Sequence, residues 1–162
     1  MKSMNNQEIN KGFTFIELLI TIVILGIFGA VALTRIQNSM DPIKVQVAID
    51  QISTDIDLIR TMAFARHETL TMVFDVENDS YTVYTGPDGD RSAVTDFPNS
   101  TNGIIAFQNA RFSGVDITAA SFDNNQPEIQ FLPLGDLKSG GTITINTRTI
   151  TLQDLTGKLS VN

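Results

Sequence analysis

The sequence predicts an α+β chain in which a long N-terminal helix lies against an antiparallel sheet, and three features carry that expectation. Residues Gly12 to Leu33, GFTFIELLITIVILGIFGAVAL, hold a single ionisable side chain, Glu17. Between Val45 and Met62 or Ala63, apolar residues fall three and four apart, the spacing of one helix face. From Thr69 the period drops to two, with turn residues between the runs, which is the pattern of short strands joined by tight loops. An apolar helix stripe has to be covered, and the sheet is what can cover it.

Taken in order, residues 1–12 (MKSMNNQEINKG) are polar and carry Lys2 and Lys11, which favours keeping that end in the cytoplasm. The apolar run that follows, as a helix rising about 1.5 Å per residue, would be about 30 Å long and match a bilayer's hydrocarbon core. A secretory signal peptide places its cleavage site after the apolar run. Here the small-residue junction with a basic approach, Lys11-Gly12, precedes it, so a cut there leaves the run attached as an anchor. Glu17 inside such a tract costs on the order of 2.5 to 3.5 kcal/mol on insertion scales. It therefore either reaches the headgroups from one turn inside the helix or has a partner.

The stretch KGFTFIELLITIVILG, Lys11 to Gly26, resembles the class III signal of type IV prepilins and type II secretion pseudopilins. The resemblance implies that an inner-membrane prepilin peptidase cuts after Gly12 and N-methylates Phe13. Thr14 and Phe15 then stand at the family's variable second and third positions, and Glu17 is the family's glutamate. It also implies a partner for that carboxylate: in an assembled filament Glu17 would accept the ammonium of Phe13 from a neighbouring subunit, neutralising both in an apolar core.

Beyond Leu33 the helix is expected to continue with a different face, burying Val45, Ala48, Ile49, Ile52, Ile56, Ile59 and Met62 or Ala63, with Lys44, Gln51, Asp55 and Asp57 at other positions. Asp41-Pro42 can be read as a kink in one helix or as the cap and first residue of a restarted one. Gly26 and Gly29 permit local melting or close packing, or are simply tolerated by lipid. Arg60, Arg66 and His67 gather where the helix ends, which suits its negative pole.

LTMVFDVENDSYTVYTG then reads as a hairpin about Glu77, Asn78 and Asp79, and Gly86 to Gly103 as a long exposed loop. Strands are expected at Ile104 to Phe107, Arg111 to Phe112, Val115 to Thr118, Glu128 to Phe131, Thr142 to Asn146, Arg148 to Leu152 and Lys158 to Val161. TITINTRTITL is a second hairpin about Asn146 and Thr147, its threonines facing solvent and its isoleucines a core.

This order of elements resembles the pilin fold. LIRTMAFARHETLTMVF, IQFLPLGDL and TGKLSV are similar to the corresponding parts of the GspH/FimT branch, although Thr34 stands where many pilins carry a helix proline. The implied organisation is a leader at 1–12, a transmembrane and assembly helix at 13–33, its amphipathic continuation at 34–68 and a periplasmic β head at 69–162.

Composition narrows the function. The formal net charge is −7, and residues 1–12 carry two of the bases and one of the acids, so the cut chain is more acidic still. That argues against a general nucleic-acid binder, whose phosphate contacts need clustered Lys and Arg. Absence of cysteine excludes disulfides and thiolate metal sites. There is no G-x-S-x-G, P-loop or HExxH pattern, and the one histidine, His67, reads as a surface residue at a helix end, so neither catalysis nor a cofactor is expected. Asp88, Asp90 and Asp96 could offer oxygens to calcium, an ion that related major pseudopilins bind. They lack the EF-hand register, so a plain acidic turn is expected and no metal.

The resemblance thus points to a minor pseudopilin at the tip or in the initiating complex of a type II secretion pseudopilus. Its partners would be other pilins or pseudopilins, the prepilin peptidase and the inner membrane, which it crosses once with its head in the periplasm. The alternative is a FimT-like minor pilin of a type IV pilus, in some relatives a DNA receptor. A DNA receptor would need a basic C-terminal surface, whereas the tail after Thr149 contains one base, Lys158, beside Asp154. An abundant major subunit is disfavoured by the GspH/FimT-like C-terminal half. The loop from Gly86 to Gly103 is the expected contact surface of the head.

Overall fold

The computed structural model describes residues 13–162 apart from Leu155 and the side chains of residues 31–41; residues 1–12, Gly12 among them, lie outside it. The chain divides into two compact units, Met1–Ser39 and Met40–Asn162, and one helix, α1 (Phe15–Arg66), contributes to both.

In the first unit, Thr14 caps α1. The Glu17 N–H donates to Thr14 Oγ1 at 3.3 Å and to the Thr14 carbonyl at 3.1 Å, so Thr14-x-x-Glu17 occupies the positions of a capping box. The side chains of residues 13–30 are all exposed. The one polar group midway, the Thr21 hydroxyl, donates to the Leu18 carbonyl at 2.7 Å and so brings no unmet hydrogen bond into an apolar surface. Among the described residues no helix is long and apolar enough to cross a membrane. A span takes roughly 20 apolar residues, and the apolar sequence here runs on to Leu33 through residues whose side chains are outside the description.

In the second unit α1 passes through Asp41-Pro42 without a break, so Pro42 lies inside one helix and no restarted helix forms there. The predicted stripe is buried: Val45, Ala48, Ile49, Ile52, Ile56, Ile59 and Ala63, with Met62 half-buried at its margin. The helix ends at Arg66 because His67 turns into the left-handed region (φ 53°) and the Glu68 N–H reaches back to the Ala63 carbonyl at 3.3 Å, the closing bond of a Schellman motif.

The strands form two antiparallel sheets rather than the single one expected. The first runs through β1 (Leu70–Asp75), β2 (Ser80–Thr85), β3 (Ser92–Ala93), β4 (Ile104–Ala106) and β6 (Glu128–Phe131). Here β1 lies between β2 and β6, while β3 and β4 both pair with β2. The second has the order β5 (Ile117–Ser121), β7 (Gly141–Ile145), β8 (Arg148–Leu152), β9 (Leu159–Val161). Both hairpins form as the alternation predicts, with Leu70 opposite Thr85 and Ile145 opposite Arg148. Inward residues of both sheets (Met72, Tyr81, Ile129, Ile143, Ile150) join the helix stripe in one core.

Several expectations are corrected. Arg111 to Phe112 is not a strand: Asn109 Oδ1 accepts the Arg111 N–H at 3.0 Å and winds Ala110–Phe112 into a 3₁₀ turn. That turn drives the Phe112 ring edge-on against Phe107, with centroids 4.8 Å apart. The strand expected at Val115 to Thr118 is displaced to Ile117–Ser121, because Val115 still belongs to the preceding turn through its bond to the Phe112 carbonyl at 2.9 Å. The stretch from Gly86 to Gly103 is not all exposed loop, since β3 within it pairs with β2 and Val94 and Phe97 are buried. Of the threonines of the second hairpin, Thr147 in the turn is exposed as expected, but the strand threonines Thr142, Thr144, Thr149 and Thr151 are half-buried, with the Thr144 and Thr149 hydroxyls 3.3 Å apart.

Gly141 is where the second sheet has least room. A Cβ there would fall on the Ser121 carbonyl oxygen and on the Phe122 ring. Gly141→Ala should therefore cost about 1–3 kcal/mol, read as a lowered midpoint in thermal unfolding followed by circular dichroism. An unchanged midpoint would show that β5 and β7 can separate freely.

Candidate assembly site

At the N-terminal end, Phe13 is 81% exposed and Glu17 is exposed three residues into the cap set by Thr14. A carboxylate in the first turn is favoured by the positive pole of the helix. A free amine on Phe13 would stand at the same pole, one residue before the cap. The structure thus puts both predicted charges at one end of an otherwise apolar rod. The Thr-x-x-Glu signal for the cap was present in the sequence, overshadowed by the cost of a charge in an apolar tract.

The other candidates do not converge. Asp88 accepts hydrogen bonds from Arg91 and from Gln130 Nε2 (2.7 Å), with Lys138 Nζ 3.4 Å away. The Arg91 guanidinium first, then the Gln130 amide, hold its carboxyl down at about 2. Arg91 also grips Glu128 on β6 at 2.7 Å, lowering that carboxyl too. The acidic turn is therefore a tie between the loop and β6, its carboxylate already met by cations. Asp90 and Asp96 are exposed without joining it. Among the described residues no three His, Cys, Asp or Glu side chains are placed to hold a metal ion. His67 is an exposed helix terminator whose ring lies 6.2 Å from that of Phe64. Arg60 leaves the helix end and donates from Nε to the Gly135 carbonyl at 3.1 Å.

One buried polar group was not foreseen. Asp55, expected off the stripe, is 3% exposed in the middle of it. Its Oδ2 accepts the Tyr81 hydroxyl at 2.5 Å and Gln51 Nε2 at 3.0 Å, with no ion pair among the described residues. Burial pushes the Asp55 carboxyl up, the two hydrogen bonds opposing it, and pushes the Tyr81 hydroxyl up strongly. This contact ties α1 to β2 across the core. Its signal was legible, because Asp55 stands between Ile52 and Ile59 at stripe spacing.

Comparison with known proteins bears on the same two ends of the chain. Residues 9–33 match the prokaryotic N-terminal methylation motif, and residues 48–161 match the model of type II transport protein GspH. No curated protein sequence matches. Among solved structures, the chain is similar to the minor pseudopilin EpsH from the type 2 secretion system of Vibrio cholerae. The two are 14% identical, the match covers 73% of this chain and 94% of that one, and the TM-score is 0.55. A second EpsH structure gives 14% identity, 73% and 92% coverage and a TM-score of 0.54. The type IV minor pilin FimU of Pseudomonas aeruginosa gives 12%, 73% and 87%, and 0.50. At these identities the likeness shows the fold, the α+β arrangement of a helix with an antiparallel head.

Proposed function

Because this chain belongs to the GspH family of type II transport proteins, we propose that it serves as a minor pseudopilin of a type II secretion system, a structural subunit that supports protein export from the tip or initiating complex of a pseudopilus. The observation that carries this reading is the succession, in one chain, of a methylation motif at 9–33 and a GspH region at 48–161. The uniformly exposed apolar surface of residues 13–30 gives it a physical rationale. Such a surface has to be covered, by inner-membrane lipid before assembly and by neighbouring helices afterwards. The head then stands in the periplasm, and the apolar rod carries Phe13 and Glu17 into the filament.

Processing is tested by mass. Co-expressed with its cognate prepilin peptidase, the chain should lose residues 1–12 and gain one methyl group on Phe13, read as the intact mass of the purified product. An uncut chain, or one cut after the apolar run, would remove Gly12, Phe13 and Glu17 from their proposed roles together. The second reading, a minor pilin of a type IV pilus, draws on the fold shared with FimU. Neighbouring genes for a secretin and secretion ATPase favour the first, and pilus or competence genes the second.

A further inference from the structure

The segment between β2 and β3, residues 86–91, crosses the face of the first sheet that turns away from α1. The order of the sheet requires this. β3 pairs with β2 on the side away from β1 and β6, yet side chains of the segment bond to β6, so they reach over β2 and β1. Arg91 meets Glu128 as a fork on a fork, Nη1 to Oε2 at 2.7 Å and Nη2 to Oε1 at 3.0 Å. Asp88 accepts from the Gln130 amide at 2.7 Å, and the same Gln130 nitrogen donates to the Thr71 hydroxyl on β1 at 3.2 Å. Glu128, Gln130 and Thr71 alternate along their strands with the core residues Ile129, Phe131, Leu70 and Met72, which places them on the outer face. The segment is thus a strap laid over that face, and Thr71 beneath it is fully buried.

The strap is held down by polar ties. Its two ends are fixed, the Gly86 N–H donating to the Thr69 carbonyl at 3.0 Å and, just past β3, the Val94 N–H donating to the Val83 carbonyl at 2.8 Å. Between them Pro87, Asp88, Gly89 and Asp90 are exposed, and the strap buries no apolar side chain of its own. The floor is polar as well, a hydroxyl and an amide that water can serve. Lifting the strap therefore gives up charge-assisted hydrogen bonds and little apolar burial, whereas lifting a core strand gives up both. It also returns Arg91 Nε to water, an atom that in the closed form is buried with no acceptor among the described residues. Segments with few buried apolar contacts are those that open locally, ahead of global unfolding.

We propose that residues 86–91 form a latched strap that opens as a unit while the core stays folded, with Arg91 as the latch, and that it controls access to the outer face of the first sheet. The open form presents Thr71, Gln130 and the Glu128 carboxylate on that face. The proposal stands independently of the pseudopilin reading.

The chain has no cysteine, so one introduced thiol reports on one place. In the full-length chain in detergent, Thr71→Cys puts a thiol under the strap and Val83→Cys puts one at a fully buried position of the core. Both substitutions nearly conserve side-chain volume. The measurement is the rate of labelling by N-ethylmaleimide, an uncharged reagent. The Thr71→Cys thiol should be labelled about tenfold faster than the Val83→Cys thiol, or more. Arg91→Gln should speed labelling of the Thr71→Cys thiol about tenfold further, the change in opening equilibrium that goes with losing hydrogen bonds between charged groups, and leave the Val83→Cys rate within about twofold. Equal rates at the two positions would overturn the proposal, because Thr71 would then be reached only when the core unfolds. So would a Thr71→Cys rate that Arg91→Gln leaves unchanged, or a rise shared equally by both thiols.

Discussion

Replacing Tyr81 with phenylalanine should cost the protein about 1.5–3 kcal/mol, the value of a hydrogen bond to a charged group. The ring still fills its place against Phe74 and Phe107, but Asp55 is left buried with Gln51 as its one donor. Asp55→Asn keeps the shape and an oxygen for the Tyr81 hydroxyl, and Gln51 can turn its amide to match. That variant should be as stable as the parent or more so at neutral pH, because a desolvated carboxylate has been removed. Tyr81→Phe should then cost less when combined with Asp55→Asn, and chemical denaturation of the parent, the two single variants and the double variant measures the difference.

The same contact sets a pH dependence. The folded Asp55 carboxyl sits above its unfolded value, so its protonation stabilises the fold. That contribution is complete below the unfolded carboxylate value near 3.9 and is lost as pH rises through the folded one. Asp88 and Glu128, both lowered, act in the opposite sense: their contribution is present above their unfolded values and lost as pH falls through the folded ones. Stability relative to Asp55→Asn should therefore grow as the parent is acidified from neutrality. Parallel pH profiles for the two proteins would rule out the assignment to Asp55.

Glu17→Ala should leave membrane insertion intact and abolish recovery of partner pilins with the chain. Insertion should if anything become easier, since a carboxylate in an apolar segment costs on the order of 2.5 to 3.5 kcal/mol. Because Glu17 also stands at the glutamate position of the box that Thr14 opens, a local role in starting the helix has to be separated from a role of charge. Glu17→Gln does this, since glutamine serves in a capping box as well as glutamate does. If the charge matters, Glu17→Gln should fail in co-purification as Glu17→Ala does; if only the cap matters, the glutamine variant should behave as the parent. Normal co-purification of both variants would end the idea that Glu17 pairs with the Phe13 amine of a neighbour.

What could be read in advance followed the range of the interaction. The helix stripe was legible residue by residue because its period is local, and so were the two hairpins, whose turns are marked by Asp79 and Asn146 at positive φ. The division into two sheets was not, because pairing β6 with β1 rather than with β7 joins residues far apart in sequence. Nor was Asp55 recognised as part of the core, since its partner on β2 lies 26 residues away and a charge was read as an exposed position. For the candidate site, Phe13 and Glu17 stood out as the start of an apolar run and the single charge within it. The seat of the turn after β6 on the end of α1 did not, because only the fold brings Gly135 to Arg60.

The buried stripe of α1 also has a mechanical meaning within the head. A force that reaches the helix at its Met40 end and pulls along its axis meets seven buried apolar side chains, from Val45 to Ala63, all loaded in shear at once. The Tyr81 hydroxyl bond to Asp55 and the Arg60 grip on Gly135 resist in parallel with them, at different heights along the same helix. No single contact bears the load, so the helix cannot be peeled from the sheets one residue at a time. The head would yield to such a pull only by giving up its core as a whole.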